Sequence, residues 1–90
     1  MIRVFVVYEE EPGAERYAQH VEMCEAIGAT FRHGKVLRTL FGPELHYYAE
    51  FEFPDMETFQ AVSGTDEFKA IGADAADMGY PHNVYLAEVQ

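Results

Sequence analysis

Apolar and polar positions along the chain follow two periods, and each change of period marks an element. Ile2 to Tyr8 is a run of Val and aromatic residues with the composition of a strand, β1, and it ends at Glu9-Glu10-Glu11-Pro12-Gly13, where Pro and Gly forbid continued pairing. From Ala14 to Ile27 the apolar positions Ala14, Tyr17, Ala18, Val21, Cys24 and Gly28 fall at three- and four-residue spacings, with Glu15, Gln19, Glu22 and Ala26 opposite. That spacing predicts an amphipathic helix, α1, stopped by Gly28. Thr30 to Phe41 reads as a long strand, β2, in which Gly34 suggests a bulge or bend. Gly42-Pro43-Glu44 supplies a turn, so Leu45 to Phe53 is expected to return antiparallel as β3. Its alternation puts Tyr47, Ala49, Phe51 and Phe53 on one face and His46, Tyr48, Glu50 and Glu52 on the other.

Pro54-Asp55 opens a short helix with Met56, Phe59 and Val62 facing inward, ended by Gly64. Thr65 caps a second helical piece: Asp66 and Glu67 suit the positive N-terminus, and Phe68, Ile71, Ala75 and Met78 form its stripe before Gly79 and Pro81 end it. Asn83 to Val89 is a last strand, β4. The order β, α, β, β, α in two pieces, β is the ferredoxin-like arrangement, an α+β fold with a four-stranded antiparallel sheet and helices on one face. That topology leaves a bare sheet face. Yet β1 carries Val4 and Val6 on one side and Phe5 and Val7 on the other, and β4 carries Val84 and Leu86 against Tyr85, Ala87 and Val89. With β1 and β4 taken as the central strands, both faces are apolar. The simplest cover for the second face is another copy of the sheet, so the expectation is a homodimer that closes a dimeric α/β barrel.

Ninety residues leave room for one domain, residues 1–90, with one site at most. A formal net charge of −10 repels phosphate backbones and anionic lipid, which argues against nucleic-acid and membrane-surface partners. No apolar run approaches the ~20 residues of a membrane span, and the opening residues enter a strand rather than a signal peptide. The single cysteine excludes an intramolecular disulfide, and the expected address is the cytoplasm.

The opening Met1-Ile2-Arg3-Val4 with Tyr8, the segment Tyr17-Ala18-Gln19-His20, the block Asp55-Met56-Glu57-Thr58-Phe59-Gln60-Ala61 and the tail from Tyr80-Pro81-His82-Asn83 to Glu88-Val89 resemble the EthD-like family of dimeric α/β barrel proteins. Members typically carry His-x-Pro-Leu on the first helix, whereas here His20 is followed by Val21, Glu22 and Met23. The resemblance implies a barrel dimer without metal or organic cofactor and a pocket between sheet and helices. Relatives include enzymes acting on lactones and aromatic polyketides.

His20 is the leading candidate for chemistry, because an imidazole exchanges protons near neutral pH. It sits at the border of the α1 stripe, and Tyr17 three residues before it and Cys24 four after share its flank. The competing reading makes Tyr17 and Cys24 core packing and His20 a helix-surface residue bonded to a neighbour. Cys24 has Glu22 and Glu25 nearby, which oppose a reactive thiolate, and the four histidines lack a ligand spacing, so no metal site is expected. Arg3, Arg32 and Arg38 are expected to pair with carboxylates, or else to anchor an anionic substrate. Tyr8, Tyr80 and His82 are candidate substrate-binding groups. Three functions then compete: a cofactor-independent isomerase, lyase or monooxygenase using His20 and Tyr17 on a small cyclic or aromatic compound, a noncatalytic binding protein for a small apolar or aromatic ligand, and a structural dimerisation module. A ligand-sized cavity beside His20 favours the first two, and a space filled by Phe and Met side chains favours the third.

Overall fold

A computed structural model describes residues 1–90. The elements run β1 (Ile2–Tyr8), α1 (Ala14–Glu25), β2 (Thr30–Lys35), β3 (Tyr47–Phe53), α2 (Met56–Ser63), α3 (Asp66–Met78) and β4 (His82–Glu88). All strand pairs are antiparallel and the sheet order is β2-β3-β1-β4, the ferredoxin-like α+β fold. The central strands are therefore β1 and β3. The expectation of β4 at the centre fails, because the last strand pairs only with the outer side of β1 and remains an edge.

The register explains the two faces. Ile2, Val4, Val6 and Tyr8 lie level with Phe53, Phe51, Ala49 and Tyr47 of β3, on the side that the helices cover. Ile2, Val4, Phe51 and Phe53 join Cys24 of α1 and Ile71 of α3 in one buried cluster. Each of the Ile, Val and Phe side chains gives about 1.5–3 kcal/mol on burial. The helices begin where the sequence says they should. Asp55 accepts from the Thr58 amide at 2.8 Å, Thr65 accepts from the Phe68 amide at 3.2 Å, and Gly79 ends α3 in the left-handed region at φ 77°. Met56, expected to face inward, is exposed in the first turn of α2.

Two expectations about β2 change. It stops at Lys35, and residues 36–46 form an irregular connection in place of the expected strand end and tight turn. Gly34 causes no bulge: it stays in register opposite Tyr48, whose ring would lie 2.8 Å from any Cβ placed there. A side chain at this position would have to displace the Tyr48 ring, which lies across the glycine from the neighbouring strand.

The other sheet face carries Phe5, Tyr85 and Tyr48, with the Phe5 and Tyr85 rings 5.3 Å apart, and beside them a charged cluster. Arg3 and Arg32 both bond Glu52, and each also lies within ion-pair distance of Glu50, at 3.7 and 3.1 Å. The two guanidiniums lower the Glu52 carboxyl below its ordinary value, Arg3 contributing most. Arg3 and Arg32 thus pair as expected, while Arg38 has no carboxylate partner within 4.0 Å. No helix is long and apolar enough to cross a membrane.

Candidate functional site

Between the helix-covered face of the sheet and helices α1 and α3 lies a cavity of about 240 Å³ lined by fourteen residues, eleven of them hydrophobic. Val4, Val6, Ala49 and Phe51 floor it, Ile71, Gly72 and Ala75 supply the α3 wall, and Val84 supplies the β4 side. The groups on its lining that can hydrogen-bond through a ring or hydroxyl are Tyr8, His20 and His82.

His20 is 5% exposed, so it is neither a border nor a surface residue of its helix. The face of α1 that packs inward is Tyr17, His20 and Cys24, rotated from the stripe that the apolar residues alone suggest. Burying an imidazole requires a partner. His20 Nδ1 lies 2.8 Å from Asp74 Oδ2, and Arg16, one turn before His20, holds the same carboxylate with Nη2 2.7 Å from Oδ1 and Nη1 3.2 Å from Oδ2. Arg16 first, and then His20, lower the Asp74 carboxyl below its usual range. An ionised carboxylate only accepts, so Nδ1 donates and Nε2 is left as the free nitrogen of the ring.

His82 has the same arrangement by a different route. Its Nδ1 is 2.7 Å from the Tyr80 carbonyl oxygen, which also only accepts, so Nε2 is again left free. The Tyr8 ring lies 5.6 Å from that of His82, and burial raises the Tyr8 hydroxyl to about 12, which keeps it a proton donor at neutral pH. Burial likewise raises Cys24 to about 12, with Asp74 and then Glu25 adding to the effect, so the thiol on the cavity wall is un-ionised and packs as a small apolar group.

Of the residues expected at the site, His20, Tyr8 and His82 therefore line one cavity, and two do not. Tyr17 is behind the lining, its ring 5.8 Å edge-on from Tyr8 and 6.0 Å from His20. Its hydroxyl is buried with no hydrogen-bond partner, and burial raises its pKa far above the ordinary phenol value. Such a group supports the lining and cannot act as a base. Tyr80 is outside the cavity lining and faces the start of α1, its hydroxyl accepting from the Gly13 amide at 2.9 Å. The residues that the sequence reading omits are Asp74 and Arg16. A carboxylate three residues after buried Ile71, and a guanidinium four residues before His20, are the helical spacings that give them away once the two helices are known to pack together. No three His, Cys, Asp or Glu side chains gather where one metal ion could be held.

No protein-family model matches this chain, and no curated protein matches it. Solved structures do. An ethyl tert-butyl ether degradation (EthD) family protein of Bacillus halodurans C-125 superposes with a TM-score of 0.82 at 19% identity, over 100% of this chain and 99% of that one. A dimeric ferredoxin-like protein of unknown function from Jannaschia sp. CCS1 gives 0.77 at 18% identity, over 98% of each chain. Hydroxynitrile lyase from Passiflora edulis gives 0.79 at 10% identity, over 99% of this chain and 93% of that one. The chain thus has the fold of the EthD protein, as the sequence resemblance implies.

Proposed function

We propose that this protein is a cytoplasmic, cofactor-independent enzyme that binds a small apolar or aromatic compound in the cavity and moves a proton with His20. The observation that carries this reading is the Arg16–Asp74–His20 chain ending on the wall of an apolar cavity. Asp74 fixes the tautomer and compensates the charge that His20 acquires on taking a proton. Nε2 removes a proton from an activated C–H, and the imidazolium returns it at a second carbon, an isomerisation, or to a departing group, a lyase reaction. Tyr8 and His82 then orient the substrate's oxygen. A monooxygenase outcome needs dioxygen as well. An engineered cavity of about 150 Å³ accepts benzene, so 240 Å³ suits a single substituted ring or a lactone of that size. The presence of this space speaks against a purely structural module.

A homodimer belongs to the same proposal, supported by the dimeric ferredoxin-like neighbour. The bare sheet face suits a second copy, because its apolar side chains lie beside two guanidiniums and two carboxylates that neutralise one another. Burying such a cluster leaves no net charge without a partner.

The test is a thermal-shift panel of phenol, catechol, benzoquinone and γ-butyrolactone on wild type, His20→Ala and Asp74→Asn, followed by NMR of deuterium exchange into whichever compound binds. We expect binding by wild type, exchange lost in His20→Ala, and exchange reduced in Asp74→Asn. Asp74→Asn also removes charge-assisted bonds at a partly exposed site, a stability loss of about 1.5 kcal/mol. Binding without exchange in wild type makes the protein a binding module, and a ligand response unchanged in His20→Ala removes His20 from the site.

A further inference from the structure

The connection between β2 and β3 defies the ordinary partition of side chains. Leu37, Leu40 and Phe41 are 93%, 84% and 99% exposed. A loop that served only to join two strands gains nothing from three large apolar groups in water, whereas each is worth about 1.5–3 kcal/mol when covered. Arg38, in the same loop, has no carboxylate within 4.0 Å. At the opposite edge of the sheet, β4 is unguarded. Val84 and Leu86 face the helix side yet are 57% and 50% exposed, and Val84 is part of the cavity lining, so the cavity opens along this edge. The β2 edge, by contrast, carries Arg32, His33 and Lys35.

The register fixes where these features lie. Lys35 is level with Tyr47, Tyr47 with Tyr8, and Tyr8 with His82, so the end of β2 and the start of β4 share one end of the sheet. When two such sheets face each other about a two-fold axis parallel to the strands, β2 of one copy comes beside β4 of the other, running antiparallel to it. The six residues after Lys35, from Val36 to Phe41, can span up to about 20 Å when extended, twice the ~10 Å between packed sheets. The same end of the sheet also carries the acidic turn, since the Glu9 amide donates to the Pro81 carbonyl at 3.2 Å just before β4 begins. Arg38, carried there on the partner's loop, meets the Glu9-Glu10 turn.

We infer that each cavity is completed in trans: Leu37, Leu40 and Phe41 of one copy seat on the partner's Val84 and Leu86 and close the cavity edge, with Arg38 against the partner's acidic turn. The contact is reciprocal, so two copies satisfy both loops and both edges. It rests on the barrel dimer proposed above and adds to it the statement that neither site is whole in one chain.

Two measurements test it, each beside sedimentation velocity. The chain has no tryptophan, so Phe41→Trp is a single reporter. Its emission should move to the blue as concentration rises through dimer formation, and emission typical of water throughout overturns the inference. Second, Phe41→Cys and Val84→Cys chains, mixed and oxidised, should yield covalent dimers that neither variant forms alone, Cys24 being buried and un-ionised. A sedimenting dimer without the mixed crosslink, or a Phe41→Cys chain that links to itself, overturns the trans closure and leaves the barrel standing. A monomer at all concentrations overturns both.

Discussion

Ala75→Leu tests whether the cavity is open space. Ala75 lies on α3 and lines the gap between that helix and the sheet. The substitution adds three carbons, which are worth about 0.8 kcal/mol each when they leave water, an upper bound of about 2.4 kcal/mol. Ordering the leucine rotamer offsets about 0.5–1 kcal/mol, and a compact unfolded chain trims the burial term by about 10–40%. Helix propensity changes little between Ala and Leu. The net expectation is a gain of about 1 kcal/mol, or about 4–8 °C in melting temperature for a domain of this size. In a densely packed interior the same carbons would instead cost about 1–3 kcal/mol. Urea unfolding followed by circular dichroism, at one fixed protein concentration, reads the sign directly as a shift of midpoint at constant slope. The ligand response of the wild type should vanish in the same variant. A midpoint lowered by about 1 kcal/mol or more refutes the reasoning, and a raised midpoint with ligand binding intact moves the ligand to another site.

The remaining predictions concern titration and reactivity. Asp74 and Glu52 have folded pKa values lowered from 3.8 and 4.5, so their contribution is fully present above those ordinary values and is lost as pH falls through the folded ones. Urea midpoints should therefore be insensitive to these groups above about pH 5 and decline below it, with a shallower decline in Glu52→Gln; superimposable curves would contradict the pairing with Arg3 and Arg32. Cys24, buried and raised to about 12, should react with a disulfide reagent at neutral pH only as fast as the chain unfolds. Rapid labelling under native conditions would show the thiol to be open to solvent.

Strand β1, both helix caps around α2 and α3 and the facing of β3 were legible because each depends on local chemistry: alternation, an acceptor at an N-cap, a glycine at a C-terminus. The end of β2 was not. Val36 to Phe41 has the composition of a strand, but Leu37, Leu40 and Phe41 pack on no surface of their own chain, and composition does not report what a side chain packs on. The edge position of β4 is likewise a matter of pairing between distant segments. At the site, His20 was visible as a residue type and misplaced on its helix, because an apolar count treats a histidine as polar. What turns it inward is Asp74, 54 residues away. A side-chain hydrogen bond between two helices leaves no mark in either helix's periodicity.

The cavity itself is written into the sequence as missing side chains. Along the covered face of β3 the residues are Tyr47, Ala49, Phe51 and Phe53, aromatic at every position but one, although alanine is poorly suited to strands. Directly above the sheet, α3 presents Gly72 and Ala75 to the same gap. Gly72 has no steric excuse, since a Cβ there would meet nothing within 4 Å, and it weakens the middle of a helix by about 0.5–1 kcal/mol relative to alanine. Three small residues on two elements thus hold open the space onto which His20 and His82 face, each with one ring nitrogen committed to a fixed acceptor. Random loss of packing would not coincide with the two imidazoles. The arrangement is that of a pocket whose size is set by Ala49, Gly72 and Ala75 and whose chemistry is set by the ring nitrogens left unbonded at its wall.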